Sequence, residues 1–428
     1  MNRKIHVFLI DYKSTKSINV ALKSLFKINR FILTTTAFVN DQIQIDTPLA
    51  FQQIKITQFK RNNLNKYLNE TLQSVSEGYV LFLFDRDYLS NYSFIEKLKE
   101  SKQTIFVQKN KIRNITLLRP FFIHTSLLKR TNFFHLMKVP FNEAILNGFL
   151  HSLVQEGAVF TIQFEQSLSQ TTSSKNPNVA ERMKFISKYL YKPKSLQTSA
   201  PTISIIISTY NMAEYVEEAI SSCLLQTELP EKIVIIDDGS TDETYQRISN
   251  YSTLPIVIVK KQAINLGKAK SLNTVLPLIK TDYILELDAD DWLDPDAIQI
   301  IKSQLLNLNQ NISVFYGNFR RWKQQHDTLL YKNISKGYPI QTKEQFLSYH
   351  FPLGPRIYKT RTIRDIGGFP ITKFEQGRFY EDVSTLYELL KISQFSYKDF
   401  TVYNIREHDG SITKRSHSKW NDFLKHIT

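Results

Sequence analysis

Four short runs of branched apolar residues recur through the second half of the chain: ISIII (203–207), IVII (233–236), IVIV (256–259) and YILEL (283–287). Runs this short, apolar at almost every position, suit strands covered on both faces. Each is followed by helical spacing. After the first, Val216, Ala219, Ile220, Cys223 and Leu224 fall at i, i+3, i+4, i+7 and i+8, one stripe of an amphipathic helix, with Glu214, Glu217 and Glu218 near its N-terminal end. Strands that alternate with helices predict a mainly parallel sheet, and in such sheets ligands bind beyond the carboxyl ends of the strands.

Acidic residues gather at that edge. The second run leads into DDGSTDE, where Ser240 and Glu243 have capping-box spacing, so Asp237 and Asp238 fall in the turn between strand and helix. The fourth leads into Asp288, Asp290, Asp291, Asp294 and Asp296. Asp294 followed by Pro295 reads as an N-cap with a first-turn proline, a structural role only. The others crowd like charges, which raise one another's pKa unless a cation sits among them. Carboxylates with open coordination positions suit Mg2+ or Mn2+ holding a substrate's phosphates.

The overall charge agrees with an anionic ligand. There are 55 Lys and Arg against 40 Asp and Glu, a net +15. The charge is spread out, and the densest patches, KNKIR (109–113) and FRRWK (319–323), are short and lack any nucleic-acid-binding motif, so nucleic acid is not an expected partner. The single cysteine, Cys223, excludes an internal disulfide and reads as a small buried residue in a reducing compartment. No apolar run reaches the ~20 residues of a membrane span, and IHVFLI (5–10) is too short for a secretory segment. A cytoplasmic protein is expected, with peripheral contact to an anionic inner-membrane face left open.

The motifs ISIIISTYN, VIIDDGSTDET, NLGKAKSLN, LDADD, IGGF and FYEDV, in this order, resemble those of family-2 glycosyltransferases of the GT-A fold. The resemblance covers about residues 201–428. It implies that Thr209, Tyr210, Asp237 and Asp238 hold the nucleotide base and ribose, that Lys268 lies near the phosphates, and that Asp288 and Asp290 form the D-x-D that binds the diphosphate through Mn2+ or Mg2+, with Asp291 as a helper. Glu381 and Asp382 match the late acidic pair, with Glu381 on the donor side and Asp382 the general base. His408, in REHDGSIT, matches a histidine often found beside the metal or the diphosphate. An inverting transfer needs a carboxylate to take the acceptor hydroxyl's proton and positive charge to neutralise the departing diphosphate. The sequence EDVSTLYELL also reads simply as a helix with acids in its first turn.

The first half repeats the second without its acids. Ile18, Ala21, Leu22, Leu25 and Phe26 overlay the stripe at Val216 at an offset of 198, which also places Tyr12 on Tyr210. RFILTTT (30–36) overlays KIVIIDD at 202, residues 68–90 overlay 272–294 at 204, and FNEAI (141–145) overlays FYEDV at 238. Thr35 and Thr36 then stand for Asp237 and Asp238, Phe84 and Arg86 for Asp288 and Asp290, and Ala144 for Asp382. A one-residue slip would make Asp85-Arg86-Asp87 a D-x-D but would spoil the neighbouring matches. The expected fold is therefore α/β, two tandem GT-A-like (Rossmann-like) domains with mainly parallel sheets: a degenerate, non-catalytic copy over 1–190, a linker over 191–200, and a catalytic domain over 201–428.

The expected function is metal-dependent, inverting transfer of a sugar from a nucleotide-sugar, UDP-linked by preference, to a hydroxyl of a glycan, lipid-linked or protein acceptor, in the synthesis of a bacterial surface or secreted polysaccharide. A sugar nucleotidyltransferase and a non-catalytic binding scaffold are the alternatives. Whether the protein is a homodimer stays open.

Overall fold

The computed structural model describes residues 5–39, 54–59, 63–97, 102–112, 115–170, 177–190, 201–306, 308–326, 328–348, 353–374, 380–409 and 419–427. The linker expected at 191–200 lies outside them. The chain divides into two compact units, residues 1–190 and 191–428.

The first unit contains β1 (Ile5–Ile10), β2 (Ile32–Val39), β3 (Ile54–Gln58), β4 (Tyr79–Phe84), β5 (Asp87–Leu89), β6 (Thr104–Ile112), β7 (Ile115–His124), β8 (Thr161–Glu165) and β9 (Leu168–Gln170). Its sheet runs β3-β2-β1-β4-β7-β6-β8, and β5 pairs separately with β9. The second unit contains β10 (Ile203–Thr209), β11 (Lys232–Asp237), β12 (Val257–Lys261), β13 (Tyr283–Asp288), β14 (Trp292–Leu293), β15 (Ile312–Gln325), β16 (Thr328–Ser335), β17 (Arg356–Lys359) and β18 (Gln394–Glu407). Its sheet runs β12-β11-β10-β13-β17-β15-β18-β14, with β16 paired to β15. In both sheets the first four strands are parallel and the fifth is antiparallel.

The four runs of branched residues become β10 to β13, and Ile203, Ile205, Ile206, Ile207, Ile233 and Ile235 are fully buried. The expected helix is Val216–Leu224, its stripe packed inward. Cys223 lies in that stripe, where burial pushes its thiol pKa up.

Register tests the overlay of the two halves strand by strand. Ile5 pairs with Tyr79 and Ile10 with Phe84, just as Ile203 pairs with Tyr283 and Ser208 with Asp288, so the offsets of 198 and 204 describe matching ladders. The offset of 202 does not hold. His6 pairs with Thr34 and Ser204 with Lys232, which puts Val39 rather than Thr35 at the level of Asp237. Two further pairings join unlike environments: Phe26 is 43% exposed where Leu224 is buried, and Tyr12 is buried, donating to the Asp87 carbonyl at 2.6 Å, where Tyr210 is 42% exposed.

Two expected helix caps are also absent. The helix after β11 is Thr244–Ser249, and neither Ser240 nor Glu243 caps it by side chain; Asp242 accepts from the Thr244 N–H at 2.9 Å instead. The helix after β14 is Ala297–Leu305, and Asp294 does not cap it. Asp294 is fully buried, with Arg320 Nη1 at 2.7 and 2.9 Å and Asn404 Nδ2 at 2.8 Å. This also removes Arg320 from the basic patch FRRWK, and Arg321 pairs with Glu407 at 2.5 Å.

Candidate active site

The carboxyl ends of β10, β11 and β13 lie side by side at one edge of the sheet. Thr209 ends β10 and Tyr210 follows it. Thr209 is buried, and its carbonyl accepts from the Asp238 N–H at 2.8 Å. The next turn is fastened to the turn after β11: the Asn211 N–H donates to Ser240 Oγ (2.9 Å), the Met212 N–H to Thr244 Oγ1 (2.8 Å) and the Thr241 N–H to Asn211 Oδ1 (2.8 Å). Tyr210 is left exposed.

Asp237 and Asp238 are both buried. Asp238 spends its carboxylate on the chain that follows β12, accepting from the Leu266 N–H (2.9 Å), the Gly267 N–H (2.9 Å) and Ser271 Oγ (2.7 Å). It thereby sets the start of the helix Lys268–Val275. Gly239 has φ +73° and lies so close to that same chain that a Cβ would meet the Ile264 carbonyl carbon at 2.5 Å, so only glycine fits.

Lys268, the first residue of that helix, reaches across the end of β13. Its Nζ lies 2.5 Å from Asp288 Oδ1, 2.7 Å from Glu286 Oε1 and 3.6 Å from Glu381 Oε1. Burial disfavours its charge, but the facing carboxylates outweigh burial and raise its pKa. Arg356, on β17, closes the other side. Its guanidinium grips Glu286 through Nε and Nη2, both at 3.1 Å, and extends to Asp288 Oδ2 (3.4 Å) and Asp382 Oδ2 (3.5 Å). Burial alone would raise the pKa of Asp288 and Glu286; Lys268 and Arg356 overcome it and hold both carboxyls below their usual range.

Asp290 stands apart from this network, with Oδ2 3.0 Å from His408 Nε2. The His408 ring packs 4.8 Å from Tyr215. Asp291 points inward, accepting from the Arg406 N–H at 2.8 Å, and burial followed by repulsion from Asp290 and Asp288 raises its pKa. Arg406 holds the strand end in place by donating to the Asp290 carbonyl at 2.9 Å, pairing with Glu218 and stacking 4.9 Å from Trp292. Asp291 is thus tied into the framework of the strand end.

The helix Glu381–Ile392 presents both acids of the late pair at its first turn. Burial pushes the Glu381 carboxyl up to about 7; Lys268 opposes the shift, and Asp382 and Glu286 add to it. Tyr380, just before the pair, is left-handed at φ 58° and stacks on Phe423 at 4.6 Å.

The structure therefore brings Lys268, Asp288, Glu381 and Asp382 into one network and Asp290 with His408 into a second. The three expected metal ligands do not close into a cluster: Asp288 turns to Lys268 and Arg356, and among the described residues no group of three His, Cys, Asp or Glu side chains is arranged around a metal position. The chemistry of the Asp290–His408 pair still fits a hard divalent ion, since a carboxylate and an imidazole leave most coordination positions to phosphate oxygens and water. Sequence reasoning missed Glu286 and Arg356. A lone glutamate within an otherwise apolar strand was the available signal for Glu286; nothing local marks Arg356.

Residues 204–367 match the family model described as Glycosyl transferase family 2. Among curated relatives, a chondroitin synthase of Escherichia coli is 31% identical over 175 residues, covering 38% of this chain and 24% of that protein. A hyaluronan synthase of Pasteurella multocida is 28% identical over 233 residues, covering 52% and 22%. The glycosyltransferase GlyA of Streptococcus pneumoniae is 22% identical over 232 residues, covering 51% and 32%. This chain thus spans about a quarter to a third of the length of these relatives. Among solved structures, TarS of S. aureus (residues 1–349, with UDP) gives 20% identity, coverage of 48% and 60%, and a TM-score of 0.38. The mannosyltransferase PcManGT of Pyrobaculum calidifontis, with GDP-Man and Mn2+, gives 17% identity, coverage of 63% and 71%, and a TM-score of 0.36. Overlays this loose transfer no residue positions.

Proposed function

Since the second unit carries a family-2 glycosyltransferase domain, we propose that the protein moves a sugar, with inversion, from a UDP-linked donor to a hydroxyl group of a glycan, lipid-linked or protein acceptor in polysaccharide synthesis. The observation that carries this reading is the Arg356 bridge, which ties Asp382 to Asp288 and so holds a carboxylate beside the end of β13, next to Lys268 and Arg356.

Asp382 is the general base. One carboxylate oxygen accepts the hydroxyl proton while the acceptor oxygen bonds to the anomeric carbon and the bond from that carbon to the diphosphate oxygen breaks. Lys268 and Arg356 face the side on which negative charge builds up on the leaving group. The Tyr210 ring stacks on the base, and Thr209, Asp237 and Asp238 shape the base and ribose pocket, Asp238 by fixing the chain at 265–267. Asp290 and His408, with Asp288, would hold Mn2+ or Mg2+. When bound, the ion supplies charge neutralisation at the diphosphate.

The turn after β10 (STYNMA) contains no glycine, which counts against a triphosphate-cradling nucleotidyltransferase. Release of UDP from a panel of UDP-sugars, with and without Mn2+, tests the proposal. Metal-dependent release that is lost in Asp382→Asn supports it, pyrophosphate release from UTP and a sugar phosphate favours the nucleotidyltransferase, and no turnover with any donor favours a scaffold.

A further inference from the structure

The net charge of the chain is not shared between its two units. Residues 1–190 hold 26 Lys and Arg against 13 Asp and Glu, a net +13, whereas residues 191–428 hold 29 against 27, a net +2. The expectation of spread-out charge therefore fails at the level of domains. Within the first unit one segment is wholly one-sided: from Tyr12 to Asn40 there is no acidic residue, while Lys13, Lys16, Lys23, Lys27 and Arg30 all occur there.

The fold turns four of these cations outward. The helix Thr15–Ser24 buries Ile18, Ala21 and Leu22. Lys16 and Lys23, seven residues apart, lie on the opposite side of that helix and are exposed. Lys27 and Arg30 are exposed on the short 3-10 helix Phe26–Phe31 that continues it. Lys13 is paired with Asp11, but among the described residues no carboxylate pairs with Lys16, Lys23, Lys27 or Arg30. Large apolar side chains accompany them. Phe26 is 43% exposed and Leu33 48% exposed, and Arg30 lies over the Phe31 ring with 4.7 Å to its centroid.

We infer that this face, Lys16, Lys23, Phe26, Lys27, Arg30 and Leu33, docks the protein on an anionic phospholipid surface. Exposed cations that no described carboxylate neutralises give long-range attraction to lipid phosphates, and the exposed aromatic and aliphatic side chains of the same segment suit insertion among headgroups, which a soluble polyanion would not require. The inference concerns where the enzyme sits and does not depend on its donor or acceptor.

Co-sedimentation of the full chain with large unilamellar vesicles, without any nucleotide, tests it. Vesicles of phosphatidylcholine with about one third phosphatidylglycerol should bind the protein, vesicles of phosphatidylcholine alone should not, and added salt should release it. Each cation near such a surface is worth roughly fivefold in partitioning, so reversing all four (K16E, K23E, K27E, R30E) should lower binding at least ~100-fold. A charge-matched control on exposed lysines of the second unit (K260E, K280E, K323E, K398E) should retain most of it. Circular dichroism confirms that both variants are folded. Failure of the wild type to sediment with anionic vesicles, undiminished binding by the four-fold variant, or equal loss in the control would each overturn the proposal. Retention on heparin with no vesicle binding would assign the face to a soluble polyanion and overturn it as well.

Discussion

The ends of β4 and β13 share a ladder register and differ in almost everything chemical. β13 ends in Asp288, held between Lys268 and Arg356; β4 ends in Phe84, which is buried. Three residues past the end of each strand lies a buried aspartate. Asp87 is gripped by Arg119 and accepts from the Phe84 N–H at 3.1 Å, and Asp291 accepts from the Arg406 N–H. Each belongs to, or directly precedes, a short strand that pairs with a late one, β5 with β9 and β14 with β18. What the two units have in common is thus the inward acid that fastens a strand end, and what separates them is the outward acid that can meet a ligand. We propose that the first unit keeps a transferase-like framework without the chemistry, and that a D-x-D reading of Asp85-Arg86-Asp87 fails because Asp87 is committed to Arg119.

The contrast can be broken at several points. The largest effect is expected at Asp290→Asn, which should abolish metal-dependent donor turnover while thermal unfolding stays close to wild type, because this carboxylate contacts His408 and not the core; turnover with Mn2+ near the wild-type rate would remove the metal assignment. Asp87→Asn should cost about 3–5 kcal/mol in urea unfolding, the scale for orphaning one member of a buried ion pair. A silent Asp87→Asn would deny the architectural role. Asp382→Asn should lower kcat by at least ~10²-fold with donor affinity nearly unchanged. If UDP-sugar binding collapses as well, Asp382 holds donor and the base lies elsewhere.

A smaller effect concerns pH. The Glu381 carboxyl stands at about 7 in the folded protein against an ordinary 4.5. A raised carboxyl favours the folded state fully below about 4.5, and its contribution is lost as pH climbs through about 7. Urea unfolding at pH 5 and at pH 7.5 should therefore show a stability difference that Glu381→Gln flattens. The smallest effect is expected at Asp85→Asn, which should leave turnover unchanged, with calorimetry finding one UDP site per chain. A second site would mean that the first unit is an active, divergent domain.

Much of this comparison could be seen in the sequence because strands and helix stripes are local. β10 to β13, the helix Val216–Leu224 and the cluster of acids at the strand ends all follow from spacing over a few residues. Errors arose where a side chain serves a distant partner. Asp294 followed by Pro295 looks like a cap, yet Asp294 is paired with Arg320, and Arg320 in turn looked like part of a surface patch. The Ser240–Glu243 spacing fits a capping box, but Ser240 instead accepts from Asn211 on another loop. Arg356 lies 70 residues beyond Glu286, on an antiparallel strand that no periodicity announces. Three parallel ladders were visible because neighbouring strands are consecutive or nearly so; the long β15–β18 pairing joins segments far apart in the chain and was not.

The Arg356 bridge bears on how such an enzyme can change its acceptor. Asp382 is located by a guanidinium that is itself clamped to Glu286 in the central strand, so under the proposed mechanism the position of the base is set from the strand end that carries Asp288. The segments between β15 and β17 and between β17 and the helix Glu381–Ile392 can then lengthen, shorten or exchange side chains without resetting the distance from base to donor. On that proposal, acceptor preference can drift through those segments while the reacting atoms keep their spacing, and a substitution at Glu286, Arg356 or Asp382 alone would disturb the other two.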